Sequence, residues 1–369
     1  MTAKVLFVIP SFAGGGAERV MIGLANGVDR SAYSPVLLTL TDSGPLRENV
    51  LSDVEIVSLG CPRIRSAFNP MRRAIKGLRP DVVASTMGYL NIGVLAACMG
   101  LRPKPKIVVR EANSPAVTFQ AGPTPWLMRC LYRFFYPTAD MIVAPSAQIA
   151  EELGSITNAD DDVIRLLFNP VDQDKSRKAA EPVVRVLGAG ARFVCAGRLT
   201  HQKGFDMLLD MFADVAPDTH LTVLGDGEER SALSDQAARL GLSERVSFAG
   251  FVSNPWRYYA GADAFLLPSR WEGMPNAALE ALACGVPVIG TPTAGGLSEV
   301  AGLARAGSVT IAEIGPSFAT AMKNVSVRSD SILLESRLPD AFRKEAVIEK
   351  FQEELAQLLD GSSRSAASC

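Results

Sequence analysis

Short apolar runs recur along the chain of 369 residues, and several are followed by segments with helical spacing. "AKVLFVIP" is the first run, and "AERVMIGLANGV" after it places apolar residues three and four positions apart. Runs of this length predict strands, and alternation with helices such as "PMRRAIKGL" predicts a parallel sheet covered on both faces. The further strands predicted in the first half are "YSPVLLTL", "VEIVSLG", "PDVVAST", "KIVVRE" and "DMIVAPS".

The alternation starts again after a connector that lies between "NPVD", 169–172, and Arg192. The strands predicted there are "RFVCAGRL", "HLTVLGDG", "RVSFAGF", "AFLLPS" and "VPVIGT". Because the chain exceeds the usual size of a single core, we expect two α/β domains, 1–180 and 181–341. Each is predicted to be a doubly wound, Rossmann-like sheet, and ligands of such folds bind at the carboxyl ends of the strands. The two domains would then face each other across a cleft.

The chain closes with "DAFRKEAVIEKFQEELAQLLD", an amphipathic helical pattern followed by a Ser- and Ala-rich tail. We expect a helix over about 342–360 that packs back onto the first domain, and a disordered tail over 361–369. The opening "MTAKVLFVIPSF" has one lysine before a short apolar run that leads into a glycine-rich turn. That pattern predicts a first strand and not a signal peptide, and no run reaches the ~20 apolar residues that span a bilayer.

Composition narrows the functional classes. Nearly half of the residues are apolar and 21% are charged, as in ordinary soluble globular proteins. The six cysteines occur singly without a C-x-x-C pair, and there are two histidines. These counts favour reduced cytoplasmic thiols over disulfides or a zinc site. We therefore expect no metal and no other cofactor.

Charge is unevenly distributed, although the net charge is only −2. Residues 61–136 hold twelve Lys or Arg against two acids, which favours an anionic partner such as a membrane surface, a phosphate or a nucleic acid. Within this segment, "TPWLMRCLYRFFYP" places Arg129 and Arg133 on one helical face among aromatic residues. This pattern is typical of a helix at a membrane interface, and equally of a core helix with exposed arginines. We favour the membrane surface, because no recognised nucleic-acid module is present.

"CAGRLTHQKGFDMLLDMF" predicts a strand, a loop and a helix. Arg198 follows the strand and Lys203 lies at the start of the helix. Two cations beside the positive end of a helix dipole are suited to a diphosphate. The alternative is a solvated basic loop.

"SRWEGMPNAALEALACG" carries two glutamates, Glu272 and Glu280. We predict a buried helix with Asn276 as its N-cap and Gly285 as its stop, so Glu280 would lie in its early turns. A buried carboxylate needs a partner, which is either a structural arginine or a pair of sugar hydroxyls. Glu272 lies upstream in a loop, roughly 12 Å away if the separation of eight positions were helical, and this distance matches a nucleotide sugar.

Three segments together carry a resemblance: "GRLTHQKG", "GDGEERSALSDQAARLGLSERVSFAGFV" and "ADAFLLPSRWEGMPNAALEALACGVPVIGTPTAGGLSEV". Their order and spacing resemble the donor half of retaining glycosyltransferases of the GT-B fold, of the bacterial family 4 or "group 1" type. "PSFAGGGAERV" and "NPVD" are also typical of that family, so the resemblance extends over nearly the whole chain.

The resemblance implies roles for individual residues. Arg198 and Lys203 would bind the donor diphosphate, Glu272 would contact hydroxyls of the transferred sugar, and these three would be the catalytic residues. Glu280 would bind the ribose hydroxyls. The remaining donor-binding residues would be Gly15, Gly16, Phe251, Gly273, Met274, Asn276 and Ala277.

One position departs from the family pattern. Many members carry a histidine in an E-H-N motif after a strand of the first domain, whereas this chain has "VVREANSP" with Ala112 in that place. Any mechanism that needs an imidazole there is put in doubt. Arg110, Glu111 and Asn113 are candidates for acceptor binding or orientation, and the alternative is that they are ordinary polar residues at a strand end.

The resemblance implies a retaining, metal-independent transferase that takes a nucleotide sugar, with UDP favoured by "SRWEGMPN", to a glycan or lipid-linked acceptor at the inner membrane face. A front-face reaction, in which a donor phosphate oxygen receives the acceptor proton, is often invoked for the family. A GDP-mannose-dependent mannosyltransferase, a nucleotide-sugar epimerase and a non-catalytic sensor are the alternatives. A nicotinamide-dependent enzyme is disfavoured, because Arg19 stands where G-x-G-x-x-G needs its last glycine.

Overall fold

The computed structural model describes residues 2–121, 124–185, 190–330 and 332–361, and it forms two compact units. The first contains the chain up to Pro170 together with the segment from Lys344 onward, and the second is Val171–Arg343. The division falls before the expected boundary at 180. The reason is that helix α7, Gln173–Ala179, belongs to the second unit, where the guanidinium of Arg177 donates to Ala283 O at 3.1 Å and Leu334 O at 2.7 Å.

The first unit contains a parallel sheet with the strand order β3-β2-β1-β4-β5-β6-β7. The strands are β1 Ala3–Ile9, β2 Tyr33–Thr39, β3 Glu55–Ser58, β4 Val82–Thr86, β5 Lys106–Arg110, β6 Met141–Ala144 and β7 Ile164–Leu166. The first six correspond to the predicted runs. The last was not predicted, because three half-buried residues at a sheet edge carry too little apolar pattern to stand out.

Helices cover both faces of this sheet. They are α1 Gly16–Gly27, α2 Ile64–Leu78, α3 Gly88–Cys98, α4 Pro115–Ala121, α5 Pro125–Phe135, α6 Ala147–Ile156 and α14 Lys344–Asp360. One core lies on the face covered by α2, α3 and α5, and the other lies under α1 and α14. α14 reaches this sheet through Phe351, whose ring centroid is 6.2 Å from that of Phe7. The predicted helix "PMRRAIKGL" is longer than expected, because α2 begins six residues before Pro70.

The second unit contains a parallel sheet with the strand order β10-β9-β8-β11-β12-β13. Its strands are β8 Arg192–Ala196, β9 His220–Leu224, β10 Val246–Gly250, β11 Ala264–Leu267, β12 Val288–Gly290 and β13 Val309–Ile311. Its other helices are α8 Phe205–Ala213, α9 Arg230–Arg239, α10 Trp256–Gly261, α11 Asn276–Ala283, α12 Leu297–Leu303 and α13 Pro316–Lys323. Sequence reasoning missed β13, again a three-residue edge strand with two exposed residues.

The strand order reverses between β1 and β4 in the first unit and between β8 and β11 in the second. Ligands of doubly wound sheets bind beyond the carboxyl ends of the strands at such a reversal. In the second unit the segments that leave the sheet at this point are 197–204 and 268–275, which contain five of the nine donor residues predicted in this unit.

Two further expectations concern membrane-spanning segments and cysteines. Among the described helices none is both long and apolar enough to cross a membrane. The five cysteines in the described ranges are free thiols. The tail predicted to be disordered lies outside the described residues, except for Gly361.

Candidate active site

Two glycines bring the segments after β8, β11 and β12 into backbone contact in the second unit. Gly204, before α8, has φ +65°, and a Cβ there would lie 2.2 Å from Pro268 O. Gly295 has φ +56°, and a Cβ there would lie 2.2 Å from Glu272 O. Only glycine accepts both the left-handed backbone and this approach. The carboxyl ends of these strands therefore form one packed surface.

Lys203 and Glu272 meet on this surface. Lys203 Nζ lies 2.5 Å from Glu272 Oε1, and Ser269 Oγ donates to the same oxygen at 2.7 Å. The Glu272 side chain is 6% exposed and that of Lys203 is 22% exposed. Within the described part of the chain, Glu272 Oε2 accepts no hydrogen bond. The pair thus presents one occupied oxygen, one open oxygen and an ammonium group with further donor capacity.

Hydroxyl groups hold the start of the Glu272 loop. Ser269 O accepts from Thr291 Oγ1 at 2.6 Å and from Thr293 Oγ1 at 3.0 Å. These threonines follow β12, so a neighbouring strand end fixes the residue that orients Glu272. The position of the carboxylate is set by contacts from two loops.

Helix α11 follows Glu272 and contains Glu280 as its fifth residue. Glu280 is half-buried, and its Oε2 accepts from Trp256 Nε1 at 3.1 Å. The prediction that the helix buries this carboxylate is therefore only partly right, and an indole N–H is one of its partners. The N-cap prediction is wrong by one residue, because Asn276 is the first helical residue and Pro275 precedes it.

The other predicted donor residues of this unit lie around the same strand ends. Gly273 and Met274 are buried before α11, whereas Asn276 and Ala277 are half-buried at its N-terminus. Arg198 is exposed, and its guanidinium makes no ion pair or hydrogen bond with the described residues. Phe251, after β10, is 66% exposed.

Gly15 and Gly16 belong to the first unit. Gly16 begins α1 and Gly15 precedes it as the N-cap residue. A Cβ at Gly15 would lie 2.3 Å from Glu18 Oε2, so the buried carboxylate of Glu18 occupies the space beside this glycine. The loop is packed by its own helix.

Arg110, the last residue of β5, is 3% exposed. Its Nη2 donates to Asn169 Oδ1 at 2.5 Å, and its Nη1 lies 3.4 Å from Thr86 Oγ1. Burial lowers the pKa of the Arg110 guanidinium to about 10. The side chain is held by neutral acceptors of its own unit.

Glu111, the next residue, points to the opposite face of the sheet. Its Oε1 accepts from Asn91 Nδ2 at 3.2 Å, from Tyr132 Oη at 3.1 Å and from Tyr136 Oη. The two tyrosine rings are stacked with their centroids 4.2 Å apart. Burial raises the pKa of Glu111 to about 7, and the three donors oppose that shift.

Of the three acceptor candidates, only Asn113 is exposed. Ala112, in the place of the family's histidine, is half-buried. Among the described residues no three Asp, Glu, His or Cys side chains group closely enough to hold a metal ion.

Comparison with known proteins adds the family. The model for "Glycosyltransferase Family 4" matches residues 14–175, and the model for "Glycosyl transferases group 1" matches residues 184–325. Together the two matches cover most of the chain. The chain belongs to the family 4, group 1 glycosyltransferases, and it is an enzyme of the GT-B fold.

Two curated relatives resemble this glycosyltransferase. An uncharacterised glycosyltransferase of Methanocaldococcus jannaschii is 26% identical over 241 residues, which cover 62% of this chain and 59% of that protein. N-acetylgalactosamine-N,N'-diacetylbacillosaminyl-diphospho-undecaprenol 4-alpha-N-acetylgalactosaminyltransferase of Campylobacter jejuni is 26% identical over 316 residues, which cover 81% of this chain and 83% of that protein.

The crystal structure of HepE from Anabaena in complex with UDP has the same fold. It aligns with a TM-score of 0.71 at 18% identity and covers 96% of this chain and 100% of that one.

Sequence reasoning about this glycosyltransferase missed the groups that orient its site. Ser269, Thr291, Thr293 and Trp256 bind Glu272, its loop or Glu280, and none was predicted. The three hydroxyl residues flank the strand ends of "LLPSRWEG" and "VIGTPTAGG", and this position after buried strands was the available signal. Trp256 carried no such signal.

Proposed function

We propose that this glycosyltransferase is a retaining enzyme that transfers an N-acetylhexosamine or hexose from a UDP-sugar to a glycan or lipid-linked acceptor. The reaction would take place at the cytoplasmic membrane face, in the synthesis of surface polysaccharide, lipopolysaccharide or glycolipid.

The Lys203–Glu272 pair carries the proposal. Glu272 Oε1 is bound by Lys203 and Ser269, and Oε2 is left to accept a hydroxyl group of the sugar. The Lys203 ammonium has three donors, so it can keep Glu272 and bind a phosphate oxygen at the same time. Arg198 is exposed beside the same strand end and supplies a second cation. Preorganised positive charge stabilises the diphosphate as it departs.

The nucleoside would lie nearer to α10 and α11. An ionised carboxylate has about four acceptor sites, so Glu280 can bind ribose hydroxyls while it accepts from Trp256. The exposed ring of Phe251 can stack on a base. The UDP bound in HepE supports a uridine nucleotide, and the name of the Campylobacter jejuni relative supports an N-acetylhexosamine and a lipid-linked acceptor.

Helix α5 supports the membrane assignment. Trp126 is 69% exposed and Phe134 is 63% exposed, and Arg129 and Arg133 on the same helix are exposed as well. Exposed aromatic rings next to arginines suit the boundary between anionic headgroups and acyl chains.

A front-face reaction fits the chemistry available. The acceptor hydroxyl would lose its proton to a donor phosphate oxygen, so the imidazole missing at Ala112 would not be needed. Glu272, already bound by Lys203, would orient the sugar and would not itself attack it.

A panel of UDP-, GDP- and dTDP-sugars tests the donor by thermal shift, since a true donor stabilises the folded state by mass action. Transfer to a lipid-linked acceptor is then followed by nucleotide release, and the anomeric configuration of the product is read by NMR. If only a GDP-sugar stabilises the protein, the donor is a GDP-sugar and not the proposed UDP-sugar. An inverted product would refute retention, and acceptor-independent turnover would indicate an epimerase.

A further inference from the structure

Two loops meet at the Lys203–Glu272 pair, and a second ion pair joins the Glu272 loop to the first turn of α8, which directly follows the Lys203 loop. Arg270 and Asp206 form a two-pronged contact, with Nη1 to Oδ1 at 2.7 Å and Nη2 to Oδ2 at 2.6 Å. Arg270 lies two residues before Glu272, and Asp206 lies three residues after Lys203. Each segment, the Glu272 loop and the Lys203 loop with the first turn of α8, therefore carries one charge of each pair.

Three more hydrogen bonds join the same two segments, one between backbone groups and two from side chains to backbone. Arg270 N donates to Gln202 O at 2.8 Å, and Arg270 Nη1 donates to His201 O at 2.8 Å. Gln202 Nε2 donates to Trp271 O at 3.0 Å. The guanidinium thus binds both the carboxylate and the backbone of the Lys203 loop, which only the planar fork of arginine can do from one side chain.

We propose that Arg270 and Asp206 are positioning residues that hold the Lys203 loop against the Glu272 loop, so that ammonium and carboxylate are apposed before the donor arrives. Their role in catalysis rests on the proposed donor site, whereas their role in aligning the two loops does not.

The partial exposure of the pair favours a role in positioning over a role in the stability of the fold. The side chains of Arg270 and Asp206 are 21% and 39% exposed, and exposed ion pairs contribute little to folding. The hydrogen bond from Arg270 lowers the pKa of Asp206, so the carboxyl group is ionised and accepts both prongs. A displacement of about 1 Å in a reactive group can lower the rate about a hundredfold. Loss of the pair should therefore affect activity more strongly than it affects the stability of the fold.

The first experiment needs no ligand. Purified full-length chain and the variants Arg270→Ala, Asp206→Ala and Arg270→Lys are acylated with acetic anhydride, and the rate at Lys203 is compared with that at exposed Lys323 by mass spectrometry. We expect the Lys203/Lys323 ratio to rise several-fold in the three variants, and amide exchange to increase in residues 199–206 and 268–274 together. The control variants, Arg305→Ala and Glu335→Ala, break another ion pair of the same unit at 3.0 Å and should leave both readouts unchanged.

The second experiment exchanges the charges. Arg270→Asp combined with Asp206→Arg restores the pair in reverse, so the acylation ratio should return toward the wild-type value. With an active donor, kcat should fall about 10- to 100-fold in each single variant and recover in part in the reversed one.

An unchanged acylation ratio in both alanine variants overturns the proposal. So does faster exchange throughout the second unit, because that would mark general destabilisation. If the wild type binds and turns over no nucleotide sugar, the proposed function fails, while the acylation ratio still decides the alignment of the loops.

Discussion

The carboxyl ends of two parallel sheets carry charged side chains that differ in one respect. In the second unit, Glu272 is paired with Lys203, a cation on another loop that keeps donors free for a further partner. In the first unit, Glu111 is enclosed by the neutral donors of Asn91, Tyr132 and Tyr136. Both carboxylates are almost fully buried, so burial does not separate them. The difference lies in the donors: Lys203 is a cation that keeps donors for a further partner, whereas the donors to Glu111 Oε1 are neutral groups of the protein itself.

The largest effect on activity should come from substitutions at the proposed donor site of the second unit. Lys203→Ala removes the cation proposed to bind the donor diphosphate and leaves the buried Glu272 without its cationic partner, and Glu280→Ala removes the proposed ribose contact. We expect each to reduce transfer by about a hundredfold or more while circular dichroism shows a folded chain. Lys323→Ala, at an exposed position of the same unit, is the control and should keep full activity. Full activity in either purified site variant would remove that residue from the donor site.

The buried Glu111 should instead make the stability of the fold depend on pH. Because burial raises the pKa of Glu111 to about 7, the folded state retains a proton that the unfolded chain loses near pH 4.5. The stabilisation is fully present below about pH 4.5 and is lost as the pH rises to about 7. At about 1.4 kcal/mol for each unit of pKa shift, the loss amounts to about 3 kcal/mol.

Urea unfolding at several pH values measures this effect in wild type and in Glu111→Gln. The variant should lack the decline between pH 4.5 and 7, while the control, Glu349→Gln at an exposed position of α14, should keep it. A wild-type profile that matches Glu111→Gln across this range would show that Glu111 titrates normally.

A backbone substitution sharpens the comparison further. Gly295→Ala places a Cβ 2.2 Å from Glu272 O on a left-handed backbone, so the Glu272 loop must move. We expect about 2 kcal/mol of destabilisation and about a tenfold fall in transfer. Gly302→Ala in α12 is the matched control, because nothing lies within 4 Å of its Cβ position, and it should be neutral or slightly stabilising. Equal effects of the two substitutions would mean that the close approach at Gly295 has no functional importance.

The sequence predicted most strands and the candidate site residues, but not the contacts between distant loops. The apolar runs located the strands β1–β6 and β8–β12. Most of these are buried along their length, because a strand buried on both faces is apolar throughout, whereas the edge strands β3 and β10 were found although most of their residues are half-buried or exposed. The short edge strands β7 and β13 lack that pattern. Lys203 and Glu272, which we propose bind the donor, were singled out by residue type and spacing, and their roles were implied by the resemblance to the family.

Contacts between loops distant in sequence did not stand out. Nothing local connects Arg270 with Asp206, 64 positions away, or Trp256 with Glu280. For the same reason the enclosure of Glu111 by two tyrosines of α5 and the turn after it was not foreseen. Candidate residues were therefore accessible from sequence, while their partners required the fold.

The smallest effect should be a change in membrane binding caused by substitutions in α5, where exposed aromatic rings lie beside exposed arginines. Trp126→Ser combined with Phe134→Ser removes two exposed rings without opening a cavity, so stability should change by less than about 0.5 kcal/mol. Binding to anionic vesicles, measured by co-sedimentation at low salt, should weaken about 3- to 10-fold, since each ring would lose its contact with the lipid interface. Leu51→Ser is the control, because Leu51 is exposed in the same unit but lies outside the basic segment.

Arg129→Gln with Arg133→Gln should weaken the same binding and also reduce its dependence on salt, because the attraction to anionic headgroups is screened over a Debye length. If both double variants bind vesicles as tightly as the wild type, the exposed face of α5 does not contact the membrane, and the proposed donor site of the second unit would remain as the proposed anion-binding surface.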